Sequence, residues 1–151
     1  MNSKEQVVKC EINTHRRDVE KVMTLMASLF LRRGKLHDVS KLEEPELSAI
    51  TLIKDMKYGT DEYLKHCQSD GIKAHYKNNR HHPEHFENGV DDMTLIDVME
   101  YFADCAVAAK RRSGCYIDFE NLRERHKLCP QLVKILNNTL QAVIIELDKI
   151  H

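Results

Sequence analysis

The sequence predicts an all-α protein, a single helical domain of five to seven helices. Three observations carry that prediction. Apolar residues recur at steps of three and four along most of the chain, strict apolar–polar alternation is sustained nowhere, and the 151 residues include only five Gly and three Pro. The first is the period of a helix buried on one side, and the second removes the main signature of a half-buried strand. The third leaves too few turn residues for a sandwich of short strands. A chain of this length suits one domain around one core.

Between Thr14 and Arg33, Val19, Val22, Met23, Met26 and Phe30 form one stripe of an amphipathic helix. Asn13 or Thr14 is its expected cap and Gly34 its expected end. A second helix is expected to begin near Pro45 and to turn Leu47, Ile50, Ile53 and Met56 inward. Tyr58-Gly59-Thr60 reads as a break, with Thr60 capping a third helix that runs to about Asn79 and places Asp61 and Glu62 in its first turn. After the polar segment His81 to Asp92, Thr94-x-x-Asp97 resembles a capping box. It opens a helix with Leu95, Met99, Phe102, Ala106 and Ala109 on one face. Two further helices are expected over Asp118 to Lys127 and Pro130 to Ile150. The last carries Leu132, Leu136, Leu140, Val143, Ile144 and Leu147 at helical spacing, and closes the core or forms a dimer seam, the core being favoured. No repeat or linker divides the chain.

Composition excludes several classes of function. Twenty-three basic and 24 acidic side chains give a net charge of −1, so no bulk electrostatic grip on nucleic acid or anionic lipid is expected. No apolar stretch approaches the roughly 20 residues needed to span a bilayer. Met1 to Asn13 lacks the apolar centre of a secretion signal. Five cysteines without a C-x-x-C pair read as reduced thiols of a cytoplasmic protein. Neither a phosphate-cradling glycine loop nor a nucleophile elbow is present, which argues against ATPase, dinucleotide-binding and serine-hydrolase chemistry.

Histidine is the unusual residue: there are nine, four of them between His75 and His85. Metal-binding side chains collect in four places. They are His15, the pair His37-Asp38, the group His75, His81, His82 and His85, and the helix face holding Asp97, Glu100 and Asp104. These three carboxylates fall on one side of their helix at the edge of its apolar stripe. Burying them without cations would be costly. Imidazoles and carboxylates around a divalent ion resolve that cost, and such mixed sets suit Zn, Mn or Fe.

The order of these elements resembles the HD-domain metal-dependent phosphohydrolases over about residues 12 to 112. His15-Arg16-Arg17-Asp18-Val19 looks like their opening H-x-R-V stretch. Leu36-His37-Asp38-Val39-Ser40-Lys41 is similar to their L-H-D-I-G-K signature, and Phe102-Ala103-Asp104-Cys105-Ala106 to their A-D-x-x-A segment. Within that superfamily the sequence is most similar to phage and bacterial proteins of unknown function with H-D-x-S-K, a histidine, N-x-H-H and E-x-x-x-D. Here those are His37 to Lys41, His75, Asn79-Arg80-His81-His82, and Glu100 to Asp104.

The resemblance implies an HD-like helical fold, with His15, His37, Asp38 and Asp104 as ligands of one metal. It implies His75 and one of His81 or His82 as ligands of a second, bridged by Asp38. Cofactors would be one or two divalent ions, of Mn, Fe, Zn, Co or Ni. The implied activity is hydrolysis of a phosphomonoester or phosphodiester, nucleotides being the substrates the superfamily favours. Phosphate needs cationic donors beyond the metal, for which Lys41, Lys77 and Arg80 are the candidates. Asp38, Lys41 and Glu100 are the candidate catalytic residues, Glu100 as a general base or as the group that orients a ligand histidine. The expected partner is a small phosphorylated molecule; dimerisation stays open. Two other readings use the same residues: a di-iron oxygenase, and a non-catalytic, metal-stabilised interaction protein of a phage acting in the host cytoplasm.

Overall fold

A computed structural model describes residues 3–57, 59–113 and 116–147. Seven α-helices and three short 3-10 turns account for nearly all of them, with no strand among the described residues. The all-α class read from the sequence is the class observed. The helices are α1 (Ser3–Leu36), α2 (Glu46–Lys54), α3 (Asp61–His66), α4 (Asp70–Asn78), α5 (Leu95–Ser113), α6 (Phe119–His126) and α7 (Pro130–Leu147). The chain forms two compact units, residues 1–36 and 37–151.

The first unit is the single helix α1. It begins by Ser3, not at Asn13 or Thr14, and passes through Gly34 to Leu36. Residues 4–13 contain no helix breaker, and Lys9 bonds Glu5 one turn away at 2.7 Å. One Gly inside a long helix costs only about 1 kcal/mol, too little to end it. The expected stripe at Val19, Val22 and Met23 is exposed, because a unit made of one helix has nothing of its own to bury it against.

In the second unit α2 starts at Glu46, with Pro45 at the cap position. Its inward residues are Glu46 and Ala49, while Leu47 is exposed and Ile50, Ile53 and Met56 are half-buried. Apolar periodicity misplaces this face because a buried hydrogen-bond network takes up the Glu46 carboxylate. The third expected helix is two: α3, capped as foreseen by Thr60 Oγ1 accepting from Tyr63 N at 3.3 Å, and α4, which begins after Ser69. The break lets α4 approach α2. A Cβ on Gly71 would lie 2.4 Å from Ala49 Cβ and 2.7 Å from the Pro45 carbonyl oxygen, so only glycine fits there.

The Thr94–Asp97 box is present, with Thr94 N donating to Asp97 Oδ2 at 2.9 Å and Asp97 N to Thr94 Oγ1 at 3.3 Å. The helix it opens is turned from the expected face: Val98, Phe102 and Ala106 are buried with Asp97 and Tyr101, and Leu95 is exposed. Asp118 caps α6 through Asn121 N at 3.1 Å, and left-handed Lys127 ends it. Val98, Phe102, Leu128, Leu136 and Leu140 form the core cluster, with Leu132, Val133 and Val143 packed on it. The last helix therefore closes the core. Tyr58, in the expected break, and the residues after Leu147 lie outside the described residues.

Candidate metal centre

Polar chemistry gathers where the chain leaves Leu36. His37 and Asp38 form the turn, and Asp38 adopts left-handed backbone angles (φ 56°, ψ 15°). Asp and Asn reach that region more readily than other side chains, because they hydrogen-bond locally. The 3-10 turn Val39–Leu42 follows, held by Lys41 N donating to Asp38 O at 2.9 Å, and Lys41 Nζ pairs with Asp38 Oδ2. From the inward face of α4 comes His75. Asn79 ends that helix, its Nδ2 donating to His75 O at 2.9 Å, and the chain bends so that His81 is fully buried beside half-buried His82. One turn apart on α5 stand Glu100 and Asp104.

Four imidazoles and two carboxylates thus meet around Asp38. Asp38 Oδ1 lies 3.6 Å from His81 Nε2 and 3.7 Å from His75 Nε2, and Asp38 Oδ2 lies 3.3 Å from His37 Nε2. Asp104 places Oδ1 3.6 Å from His37 Nε2 and Oδ2 3.9 Å from His81 Nε2. His75 Nε2 and His82 Nε2 are 2.8 Å apart. Two overlapping sets, Asp38-His75-His81-His82 and His37-His81-Asp104, each bring their ligand atoms within 4.8 Å of one another.

A second layer of carboxylates orients the rings. Glu46 Oε2 accepts from His75 Nδ1 at 2.8 Å and from Ser40 Oγ at 2.8 Å, and its Oε1 accepts from Asn78 Nδ2 at 2.7 Å. Glu100 Oε1 accepts from His37 Nδ1 at 3.0 Å and lies 3.2 Å from His81 Nδ1. A carboxylate only accepts, so Nδ1 of His37 and of His75 carries the proton. In the neutral rings each Nε2 then presents its lone pair inward, the arrangement by which carboxylates fix metal-ligating histidines.

These residues fit a divalent ion. Asp38 Oδ1 and both ring nitrogens of His81 are buried without a hydrogen-bond partner, and buried polar atoms are seldom left so. Bonds of about 2.1 Å put neighbouring ligand atoms about 3.0 Å apart in an octahedron and about 3.4 Å apart in a tetrahedron. The observed 3.3–3.9 Å spacings around Asp38 and Asp104 need only a small contraction.

Electrostatics agree. Burial, and then the charges of His81 and His75, push His82 down to about 2, keeping it neutral. Burial likewise lowers His75. The Asp104 and Glu100 carboxylates raise His37 to about 10, so in the bare protein a proton supplies the positive charge this cluster demands. Burial works to raise Asp104, but His37, His81 and Lys41 outweigh it and hold the carboxyl below its ordinary value.

Of the residues singled out from the sequence, His37, Asp38, Lys41, His75, His81, His82, Glu100 and Asp104 come together, and both members of the 81–82 pair face the cluster. His15 is exposed on α1 in the first unit. Arg80 is engaged elsewhere: its Nε and Nη2 donate to the fully buried Asp97 at 3.2 and 3.1 Å, and its guanidinium lies over the Phe86 ring. Lys77 is exposed on α4. His85 Nδ1 donates to Tyr76 O at 3.0 Å. Sequence reasoning passed over Glu46 and Arg125, whose partners are distant in sequence.

Arg125 lines a cavity of about 480 Å³ that His82 and Asp104 share with the cluster, together with Tyr76, Tyr101 and His126. The site is thus reachable from a volume large enough for a small organic molecule. Among known proteins, the sequence model described as a family of unknown function (DUF5662) matches residues 4–142. No curated protein and no solved structure matches the chain.

Proposed function

The chain belongs to that family of unknown function, so its own residues must carry the reading, and we propose that it is a metal-dependent hydrolase of phosphate esters. The supporting observation is the convergence of four inward imidazoles with Asp38 and Asp104 beside an accessible cavity. His37, Asp38, His75, His81, His82 and Asp104 would hold one or two divalent ions of the Mn, Fe, Zn, Co or Ni class, with His81 common to both ligand sets. Ions held there would lower the pKa of water and neutralise charge on phosphoryl oxygens. His15 enters the set through the HD-domain resemblance alone.

The remaining roles fall to the protein. Lys41, paired with Asp38, is the cation placed to meet a phosphoryl group at the cluster. Arg125 supplies a second on the cavity wall. Glu100 and Glu46 act behind the histidines, fixing ring orientation and proton position, which makes them positioning residues. The aromatic wall of Tyr76, Tyr101 and His126 receives the organic part of the ester. That accessible wall favours turnover over a purely structural metal.

The test is metal content by plasma mass spectrometry on tag-free protein, with wild type beside Asp38→Asn. Asparagine keeps the left-handed turn, so loss of metal reports on the ligand and not on the backbone. Near-stoichiometric metal that falls away in the variant, followed by metal-dependent hydrolysis on a panel of phosphomonoesters and phosphodiesters, is the expected result. Failure to bind any of the five metals when each is added would refute the reading.

A further inference from the structure

The first unit carries a pattern that the metal cluster does not use. Along α1, Val8, Ile12, His15, Val19, Val22, Met26, Leu29, Arg33 and Leu36 follow one another at alternating steps of four and three. That is the seam of a heptad repeat, sustained over four heptads. Ile12, Val19 and Met26 hold the a positions; Val8, Val22, Leu29 and Leu36 hold d. His15 and Arg33 are its two polar members. The b, c and f positions are almost all polar or small, with Val7 and Leu31 the long apolar exceptions. Val8, Ile12, Val22 and Leu36 are at least 50% exposed. Helices draw most of their stability from packing an amphipathic face, and this unit has no second element to supply it.

We propose that α1 pairs with α1 of a second copy of this chain as a parallel, in-register, two-stranded coiled coil. β-Branched Ile12 and Val19 at a, with Leu29 and Leu36 at d, are the side chains that favour two parallel strands. The flanking positions set the direction. In a parallel pair each g residue meets the e residue five positions on in its partner. Glu11 then meets Arg16, an attractive contact formed twice, and Leu25 meets Phe30. An antiparallel pair would instead lay the charged flank of Lys9, Glu11, Arg16 and Asp18 against the apolar flank of Met23, Leu25 and Phe30. The like-charged pair Lys4 and Lys9 falls in the first turns, where Lys9 is already bound to Glu5 of its own helix at 2.7 Å. His15 at a d position faces its own copy across the seam. This inference does not rest on the metal reading, whose other ligands all lie in the second unit.

The test uses the full-length chain. Light scattering after gel filtration should give twice the 17.6 kDa of one chain. Val8→Cys and Leu29→Cys, three heptads apart, should each form an intermolecular disulfide on mild oxidation. Wild type serves as the control, since Cys10 stands at an outward f position. An antiparallel pair brings at most the residue on its two-fold axis against itself, so it cannot cross-link at both sites. Val22→Asp should halve the mass and Lys21→Asp, at an outward c position, should not. The cross-linking arm stands even if Val22→Asp fails to fold. A wild type of 17.6 kDa, or a dimer that does not cross-link at both positions, would overturn the proposal.

Discussion

Replacing Gly71 with alanine sets two effects of opposite sign against each other. Helix propensity alone predicts a gain of up to about 1 kcal/mol, because Gly71 lies inside α4. The new Cβ, however, would stand 2.4 Å from Ala49 Cβ and 2.7 Å from the Pro45 carbonyl oxygen. Carbon atoms rest at about 3.5–4.0 Å, so α4 must move from α2 by about 1 Å. Overpacking of that size costs about 1–3 kcal/mol. The steric effect wins, with a net loss of about 1–2 kcal/mol. For a unit spanning residues 37–151 that lowers the melting midpoint by about 4–8 °C. The movement also carries His75, one turn further along α4, away from Asp38, so the variant should take up metal less tightly. Gly34→Ala is the matched control. Nothing lies within 4 Å of its Cβ position, propensity acts alone, and stability should rise. Thermal melts followed by circular dichroism decide the matter. A Gly71→Ala protein that melts at or above wild type would refute the reasoning.

Glu100→Gln removes the charge behind His37 and His81 but keeps the side chain's shape. Metal affinity, measured by competition with a chromogenic chelator, should fall about 10- to 100-fold, whereas an unchanged affinity would remove Glu100 from the centre. Arg80→Ala strips two charge-assisted bonds from the buried Asp97 carboxylate. Because the guanidinium is about half exposed, the expected loss is about 1–2 kcal/mol in a urea melt, with metal affinity unchanged. A variant as stable as wild type but slow on substrate would restore Arg80 to a role in binding phosphate. Loading with the preferred metal should raise the melting temperature of wild type, and excess chelator should reverse it. No shift with any of the five metals would contradict the proposed centre.

Much of this was legible in the sequence because local rules act locally. Thr60, Thr94 with Asp97, and Asp118 cap helices through bonds that span three residues, and α7 shows its core face in its leucine spacing. The histidines and carboxylates of the cluster were legible as metal-binding side chains from their chemistry, and the structure brings them together. What escaped depends on partners distant in sequence. Glu46 turns inward because Ser40, His75 and Asn78 bond it, and no periodicity records that. Arg80 looks free for phosphate until Asp97, 17 residues on, is found beneath it. The split between α3 and α4 lets Gly71 approach α2, a contact that no local pattern records. Neither His81 nor His82 could be preferred from a dipeptide, since the bend after Asn79 is what turns both toward Asp38.

The second unit is held at two separate places. Val98, Phe102, Leu128, Leu136 and Leu140 bury apolar surface along the later part of the chain. From residue 37 to 92, by contrast, the buried side chains among the described residues are mostly polar: Glu46, His75, Asn79 and His81, with Ala49, Ile72 and Pro83 the apolar ones. Helix α5 belongs to both, with Val98 and Phe102 toward one and Glu100 and Asp104 toward the other. Such a division predicts that the two parts open with different free energies. The leucine-rich half can stay closed while the histidine-rich half opens, so amide hydrogens of α2 and α4 should exchange through openings that leave α7 protected. An ion bound in the imidazole cluster would then set how often that half comes apart.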